Sequence, residues 1–417
     1  MQRSLFFLLR DWLNIKGCLE ARMEESIVRV TGDQALVKKL NKSIVLDTIR
    51  RNGPLSRTDV SERTGLNKAT VSNLTLELLE QNLVEETGLG ESSGGRKPLM
   101  LLFNGSAGCV IGIELGVTLV KSVLTNLTGS ILLERSASLG EHDPDTAFAV
   151  ICDTVRPLIE AMPPTPHGLV GIGIGVPGMV DEAGLILYAP NLGWEGVDLR
   201  SRLEAEFAVP VVVDNEANVG AAGEREYGAG QHVRHLVYVS AGMGLGSGMI
   251  IDGQLYKGAW GYAGETGHMS IESEGRLCSC GSRGCWELYA SERAYAYATE
   301  DGRPALPAET TSELTAYAHS GEASVLQLYQ EIGRRLGIGI TNLVNGFNPE
   351  KIVVGGPLTE AKEWIEPSML ATIAERALPY HRRELAVSFS ELGSRSAVLG
   401  AAHLAVSQFL GRVRVSL

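Results

Sequence analysis

This sequence of 417 residues has few cysteines, few aromatic side chains and no long apolar run. The apolar stretch Ser4–Leu9 is followed by charged residues and falls far short of the roughly 20 residues that span a bilayer. Three of the six cysteines, Cys18, Cys109 and Cys152, are scattered in apolar or helical contexts, as expected in a reducing compartment. These scarcities argue against a membrane protein or a disulfide-built secreted protein. We expect a soluble, cytoplasmic protein without a membrane partner.

The sequence also lacks an excess of positive charge. Its formal net charge is -12, which argues against a protein with a basic surface throughout. The charge is uneven, because the segment up to Asn104 has 15 Lys+Arg against 13 Asp+Glu, about +2, which leaves about -14 for the remainder. A chain of this length predicts two or three domains. Contact with nucleic acid is therefore expected only near the N-terminal end.

A short stretch near residue 275 carries the spacing of a metal site. His268, Cys278, Cys280 and Cys285 follow the pattern H-x9-C-x-C-x4-C, with glycines between them that allow tight turns. Four nitrogen and sulfur ligands suit tetrahedral Zn2+, and they leave no open position for an activated water, so the zinc is predicted to be structural. The alternative is a buried or disulfide-bonded cysteine cluster.

Residues 36–104 have the pattern of a winged helix-turn-helix. Apolar residues recur at Leu36, Leu40, Ile44 and Ile49 before Gly53-Pro54 ends the first helix. The sequence Ser56-Arg57-Thr58-Asp59 forms a capping box that opens a second helix, which ends at Gly65. Asn67 then caps a third helix, whose buried stripe is predicted at Val71, Leu74, Leu78 and Leu79. The polar residues left on its exposed faces are Lys68, Thr70, Ser72 and Asn73.

Two strands are predicted after the third helix, at Leu83–Glu86 and Leu99–Phe103. They flank a Gly/Ser-rich loop with Arg96 and Lys97, which is typical of a wing that contacts DNA phosphates. The polar N-terminal part of the third helix is the part that enters the major groove in such domains. The alternative is a helical protein-interaction module. The preceding residues, 1–35, form an N-terminal extension without an assigned function.

Beyond Asn104, short apolar strands alternate with glycine turns. The units Val110–Thr125 and Leu236–Ile251 each read as a strand, a glycine turn and a second strand, and Lys351–Gly355 adds a further buried strand. This pattern predicts an α/β region, residues 105–417, with two lobes and a cleft between them. The glycine turns either bind phosphates or permit tight hairpins, and the spacing favours neither.

The motifs together resemble the repressor, open reading frame and kinase (ROK) family. Its zinc and sugar motif matches E-x-G-H from Glu265 and C-x-C-G-x-x-G-C-x-E from Cys278, and the segments Gly175–Gly178, Pro190–Trp194 and Asn215–Asn218 are similar to its other sugar-facing segments. The resemblance implies an α/β, two-lobed, actin-like ATPase (ribonuclease H-like) fold. It also implies a set of side chains that bind sugar hydroxyls: Asn191, Asn215, Glu216, Glu265, His268 and Glu287. Taken singly, each Asn or Glu is equally typical of a turn or helix cap.

Two departures from the family pattern argue against enzymatic activity. The family's kinases carry Asp where this chain has Glu216, a vestigial base position, and Asp where it has Glu114 in the first phosphate turn. Each replacement moves the carboxylate by roughly 1.5 Å, and a misplacement of about 1 Å costs on the order of 100-fold in rate. The resemblance therefore favours a sugar-responsive transcriptional regulator, a probable repressor. The alternatives are an ATP-dependent sugar kinase that retains a DNA-binding domain, and a scaffold regulated by a phosphotransfer protein.

The regulator is expected to act as a homodimer on double-stranded operator DNA. A dimer places two recognition helices one DNA turn apart on a palindromic operator. A bound sugar that favours one arrangement of the two lobes would change operator affinity.

Overall fold

The computed structural model describes residues 34–89, 98–297, 308 and 310–411. The chain divides into two compact units: residues up to 78 with residues 86–102, and residues 79–85 with residues 103–417. Among the helices described, none is both long and apolar enough to cross a membrane.

The smaller unit contains the three predicted helices and a small sheet. Its elements are helices α1 Gln34–Asn52, α2 Arg57–Thr64 and α3 Lys68–Glu80, and strands β1 Leu55–Ser56, β2 Val84–Leu89 and β3 Leu99–Phe103. The predicted capping box opens α2: Asp59 N donates to Ser56 Oγ at 3.2 Å, and Ser56 N donates to Asp59 Oδ2 at 2.8 Å. Gly65 ends α2 in the left-handed conformation, at φ 71°. The sheet has the order β1-β3-β2, and the sequence did not reveal β1.

The predicted apolar face of α1 is partly wrong. Ile44 is 38% exposed, and the buried residues are Val45, Leu46 and Ile49. Successive residues are about 100° apart around the helix, so Ile44 lies on the side roughly opposite the face that Val45, Leu46 and Ile49 share.

The predicted stripe of α3 is mostly confirmed. Val71, Leu74 and Leu78 are buried, whereas Leu79 is half-buried and Thr75 takes a buried position.

The described part of the larger unit contains two five-stranded sheets. The first has the order β11-β7-β4-β5-β6 and the second β14-β13-β12-β15-β16. Their strands are β4 Cys109–Leu115, β5 Leu119–Asn126, β6 Ile131–Ser138, β7 Leu169–Val176, β11 Val211–Asn215, β12 Leu236–Ala241, β13 Leu245–Ile251, β14 Gln254–Tyr256, β15 Lys351–Gly355 and β16 Ala386–Phe389. Each sheet begins with an antiparallel pair joined by a glycine turn, as predicted. The next strand, β6 or β14, is also antiparallel, and the later strands pair in parallel.

Helices pack on these sheets, and three short strands form a further small sheet of order β10-β9-β8. The remaining elements are α4 Pro144–Glu160, β8 Met179–Val180, β9 Ile186–Ala189, β10 Trp194–Val197, α5 Leu199–Phe207, α6 Glu216–Tyr227, α7 Glu287–Ala290, α8 Arg293–Ala296, α9 Thr311–His319, α10 Ala323–Phe347, α11 Lys362–Arg376, α12 His381–Glu384 and α13 Ser396–Phe409. The long helix predicted near Leu328–Asn345 is α10. Its apolar residues recur on one face and are buried in the core of the second sheet.

Helix α13 approaches the first sheet so closely that only glycine fits at the contacts. A Cβ at Gly112 of β4 would collide with the Val398 carbonyl, and a Cβ at Gly173 of β7 with the Ala401 carbonyl. On its other side, a Cβ at Gly400 would collide with the Val219 carbonyl of α6. These backbone contacts place α6, whose first turn carries Glu216, against α13 and near the ends of both sheets.

Candidate metal centre and ligand-binding cleft

The four predicted metal ligands converge in space. The ligand atoms of His268, Cys278, Cys280 and Cys285 all lie within 4.8 Å of one another. Cys278 Sγ lies 3.7 Å from His268 Nδ1, and Cys280 Sγ lies 3.7 Å from Cys285 Sγ. Two thiolates that each lie about 2.3 Å from a tetrahedral zinc are about 3.8 Å apart, so these separations fit that metal.

The loop geometry brings the three thiols together. Gly281 and Gly284 have positive φ angles of 88° and 68°, which turn the chain back between the second and third cysteines. Leu277 forms an isolated bridge with Arg283, and Cys278 N closes the turn by donating to Ser282 O at 2.8 Å. A short hairpin of this kind places thiols from both of its arms on one side.

The disulfide alternative does not fit the sulfur positions. The three cysteines are free, and a disulfide requires sulfurs about 2.05 Å apart, far closer than the 3.7 Å between Cys280 and Cys285. Burial, reinforced by the neighbouring Cys280 and Cys278 thiols, raises the pKa of Cys285 well above its ordinary value. Three crowded thiols become thiolates readily only beside a cation, so the donor set suits a metal ion with soft ligands.

Asn191 and Glu287 come from distant parts of the chain and share one partner, Arg293. Asn191 lies in the turn between β9 and β10, and Glu287 begins α7 directly after the cysteine loop. Arg293 Nη2 donates to Asn191 Oδ1 at 2.5 Å, and Arg293 Nε lies 3.3 Å from Glu287 Oε1. Glu287 is only 6% exposed, and its Oε2 accepts from Leu245 N at 3.1 Å in the turn that follows β12.

Asn215 and Glu216 lie where β11 passes into α6. Asn215 caps α6, since its Oδ1 accepts from Ala217 N at 2.8 Å, and its Nδ2 donates to Gly178 O at 2.8 Å. Asn215 is therefore a helix cap in this structure, which is the structural role that the sequence left open for it beside sugar binding. Glu216 Oε1 accepts from Ser240 Oγ of β12 at 2.8 Å, and burial raises the pKa of the Glu216 carboxyl.

Glu265 and His268 lie on the segment that leads into the metal centre. Removal from solvent raises the pKa of Glu265, the nearby His268 lowers it, and the Glu287 carboxylate raises it further. Glu265 and Glu287 are thus close enough to interact electrostatically. His268 turns Nδ1 toward Cys278, so its other ring nitrogen is available for a second partner.

Glu114 lies opposite Lys121 on the β4–β5 hairpin. Its Oε2 is 3.9 Å from Lys121 Nζ, which donates to Ser394 O at 2.9 Å. Enclosure by protein raises the pKa of Glu114 to about 7, although its side chain is 26% exposed; Lys121 lowers the pKa, and Glu216 raises it. Glu114 and Glu216 therefore repel each other across the cleft when both are charged.

The sequence did not reveal three of the residues that organise the cleft: Arg293, Ser240 and Lys257. Lys257 follows β14, and its Nζ lies 2.7 Å from Oδ2 of Asp214, a carboxylate that is only 2% exposed in β11. The pair joins the two sheets next to Asn215. The contacts Arg293–Asn191, Ser240–Glu216 and Lys257–Asp214 each join residues at least 24 positions apart, so no local spacing marks them.

The polar residues predicted to contact DNA lie mainly on the surface of α3. Lys68, Ser72 and Asn73 are exposed, whereas Thr70 is half-buried beside α1 and its backbone nitrogen donates to Asn67 Oδ1 at 2.8 Å. Thr70 is therefore less accessible than predicted. Arg96 and Lys97 lie outside the described residues.

Comparisons with known proteins match both units. The family model described as "ROK family" matches residues 110–408, and the model described as "IclR helix-turn-helix domain" matches residues 45–88. The chain is 40% identical over 383 residues to the xylose repressor of Bacillus spizizenii, which covers 92% of this chain and 99% of that protein.

Solved structures agree with this match. A ROK family transcriptional regulator, described as a homologue of the Escherichia coli MLC protein, is 30% identical with a TM-score of 0.77, covering 90% of this chain and 96% of that one. A ROK family glucokinase from Streptomyces griseus, in complex with glucose and AMPPNP, is also 30% identical, with a TM-score of 0.66; it covers 71% of this chain and 99% of its own. The predicted α/β fold, actin-like with an N-terminal winged helix-turn-helix, is confirmed.

Proposed function

Because this chain belongs to the ROK family, we propose that it is a sugar-responsive transcriptional repressor whose larger unit binds the effector. One observation carries the proposal. A relative named a xylose repressor matches 92% of the chain, so the match spans both the helix-turn-helix and the ROK unit. The glucokinase match covers only 71% of the chain. The smaller unit distinguishes the two, because a sugar kinase has no need of a DNA-reading helix.

The metal centre holds a structural zinc ion in this proposal. Zn2+ supplies a fixed tetrahedral anchor and no catalytic step, since His268 and the three cysteines fill its four positions. The anchor sets the position of two flanking residues, Glu265 and Glu287, whose carboxylates face the cleft. The separations between the ligand atoms support this assignment.

The effector is an uncharged aldose. Among the described residues, Glu216, Glu265 and Glu287 bring three carboxylates to this region, whereas Arg293 already contacts Glu287 and Lys257 is paired with Asp214, so the site is unfavourable for a phosphorylated sugar. Carboxylates and amides accept and donate hydrogen bonds to adjacent hydroxyls, and a site built in this way rejects analogues without them. A relative named a xylose repressor matches 92% of this chain, which makes D-xylose the first candidate.

The sugar-facing set comprises residues of both sheets. Asn215 ends β11 of the first sheet, Asn191 lies in the turn between β9 and β10, and Glu265, His268 and Glu287 follow β14 of the second sheet along the chain. Asn215 contributes chiefly through the backbone it caps, because both polar atoms of its side chain already have partners. Glu216 has one carboxylate oxygen engaged by Ser240, which leaves the other for a hydroxyl.

Phosphoryl transfer is not part of the proposed function. The two carboxylates at the kinase positions, Glu114 and Glu216, are one methylene longer than aspartate. Glu216 is hydrogen-bonded to Ser240, and at neutral pH a pKa of about 7 leaves Glu114 protonated in about half of the molecules. A coupled assay of ADP release with D-xylose or D-glucose is expected to show no turnover. Turnover of about 1 to 100 per second would make the chain a kinase.

The smaller unit reads operator DNA. In this proposal Lys68, Thr70, Ser72 and Asn73 of α3 contact base edges, and Arg96 and Lys97 contact phosphates. We further propose that the protein is a homodimer, because a palindromic operator presents two half-sites one DNA turn apart. Sugar binding then weakens operator binding by favouring one arrangement of the two lobes.

Operator affinity measured with and without sugar tests this function. The operator is first selected from random palindromic DNA with the full-length protein. Wild type, Glu287→Gln and a control variant, Glu363→Gln, are then compared with and without saturating D-xylose; Glu363 is exposed on α11. D-Xylose is expected to weaken operator binding by wild type and by the control roughly 5- to 150-fold, and to leave Glu287→Gln unchanged. If a sugar that binds wild type leaves operator affinity unchanged, the sugar site is not the switch.

A further inference from the structure

Arg293 occupies a position that neither the motifs nor the metal centre explain. It begins α8, its side chain is 27% exposed, and it reaches two side chains that the proposed function assigns to the sugar. Nη2 donates to Asn191 Oδ1, and Nε lies 3.3 Å from Glu287 Oε1. Asn191 follows β9 and Glu287 follows the cysteine loop, so one guanidinium joins distant parts of the chain.

This contact fixes the orientation of the Asn191 amide. A guanidinium carries only donors, so the amide must turn its oxygen toward Arg293 and its nitrogen away. A Cβ built on Gly244 would lie 3.6 Å from Asn191 Nδ2 and 3.0 Å from Glu287 Oε2. Asn191 Nδ2 and Glu287 Oε2 therefore lie on the same side of the Gly244 backbone.

Glu287 keeps acceptor capacity in this arrangement. One oxygen faces Arg293 and the other accepts from Leu245 N at 3.1 Å, yet each carboxylate oxygen has two lone pairs. The pair thus offers a hydrogen-bond donor from Asn191 beside acceptors from Glu287. Adjacent hydroxyls of a sugar ring, one accepting and one donating, match that pattern.

The helix that carries Arg293 is itself held firmly. Ser291 Oγ donates to Glu287 O at 2.6 Å and accepts from Arg293 N at 3.2 Å. Glu292 N donates to Gly242 O at 2.8 Å, which anchors the segment to the turn after β12. The start of α8 is therefore positioned by the same turn that contacts Glu287.

We propose that Arg293 is a positioning residue of the sugar site, which orients Asn191 and Glu287 so that together they select one hydroxyl of the effector. The inference rests on the proposed function, because it assigns Arg293 a role in binding an uncharged aldose. Arg293 itself contacts the two side chains rather than the sugar. Its removal should therefore reduce discrimination between sugars as well as affinity.

Calorimetric titration with D-xylose and its monodeoxy analogues tests this role. The variants are Arg293→Gln, Arg293→Lys and a control, Arg376→Gln, whose residue ends α11. Wild type and the control should bind at least one analogue roughly 10- to 100-fold more weakly than D-xylose. Arg293→Gln should bind D-xylose roughly 10- to 100-fold more weakly than wild type, because the two side chains lose their orienting charge. Its affinity for that analogue should change less than about 3-fold, and Arg293→Lys should recover part of the discrimination.

The outcomes separate this role from a structural one and from the proposed function. If Arg293→Gln loses affinity by the same factor for every sugar, Arg293 is merely structural and the inference is overturned. Unchanged sugar affinities of Arg293→Gln would also overturn it, as would a wild type that binds every analogue with equal affinity. In the first two cases the proposed function stands, whereas a wild type that binds every analogue equally also contradicts the hydroxyl recognition proposed for the site. A wild type that binds no D-xylose overturns the assignment of that effector and the positioning role together.

Discussion

Replacement of Lys257 by methionine should destabilise the larger unit far more than its single ion pair suggests. Lys257 Nζ lies 2.7 Å from Asp214 Oδ2, and the side chains are only 15% and 3% exposed. Methionine keeps most of the side-chain volume and removes the charge. The Asp214 carboxylate then remains buried with only neutral donors, the Asn215 backbone nitrogen at 2.8 Å and the Asn218 amide at 3.0 Å.

The expected loss is about 3 kcal/mol, the lower end of the range for a broken buried pair, because those two donors remain. In a unit of this size that corresponds to a fall of roughly 4 to 5 °C in Tm. Arg234→Met is the matched control: Arg234 Nη2 and Asp252 Oδ1 are also 2.7 Å apart, but their side chains are 70% and 68% exposed. An exposed pair contributes under about 1 kcal/mol, so the control should change Tm by no more than about 2 °C.

Thermal unfolding of the two variants, followed by circular dichroism at one protein concentration, measures this difference. The double variant Asp214→Asn/Lys257→Met should recover part of the loss, because no buried charge remains unpaired. A Lys257→Met protein no less stable than Arg234→Met would refute the reasoning, since burial would then not determine the strength of the pair.

Three further predictions address the cleft, the metal and the DNA-reading helix. Glu114→Gln should raise Tm at pH 8 and leave it nearly unchanged at pH 4: the folded pKa of about 7 exceeds the unfolded value, so the native state loses stability as pH rises toward 7, and glutamine removes that loss. An equal shift at both pH values would contradict the assigned pKa. Metal analysis of protein purified without added zinc should find about one zinc per chain, and Cys280→Ser should lower both zinc content and D-xylose affinity; native sugar affinity without metal would exclude the anchoring role. Asn73→Ala should reduce discrimination between operator and random DNA by about 1 to 3 kcal/mol in gel-shift titrations, whereas a loss of equal size on both DNAs would assign Asn73 to phosphate contact instead.

The sequence predicted the features that depend on neighbouring residues. His268 and the three cysteines lie within 18 residues of one another, and a loop of that length brings them together under almost any packing. The capping box at Ser56 and Asp59 is equally local. Both were therefore readable from spacing and residue type alone.

The partners that complete the cleft depend on how the sheets meet. Arg293 joins Asn191 across about one hundred residues of chain, and Lys257 reaches Asp214 from the other sheet. The contact of Lys121 with Glu114 is more local. The two residues lie opposite each other in the β4–β5 hairpin, and the glycine turn at Gly116 indicates that hairpin from the sequence. The roles of the sugar-facing residues and the domain boundaries remain predictions.

The seating of α13 on β4 and β7 has a consequence for synthesis of the protein. The chain leaves the ribosome from its N-terminal end, so the strands emerge long before the helix whose carbonyls meet Gly112 and Gly173. Until Ser396–Phe409 follows, that side of the nascent sheet has no cover, whereas the helix-turn-helix already has all its helices. A premature stop codon ahead of Ser396 would therefore release a polypeptide with an intact DNA-reading helix attached to a sheet that cannot close, a substrate for chaperones and proteases rather than a shorter repressor.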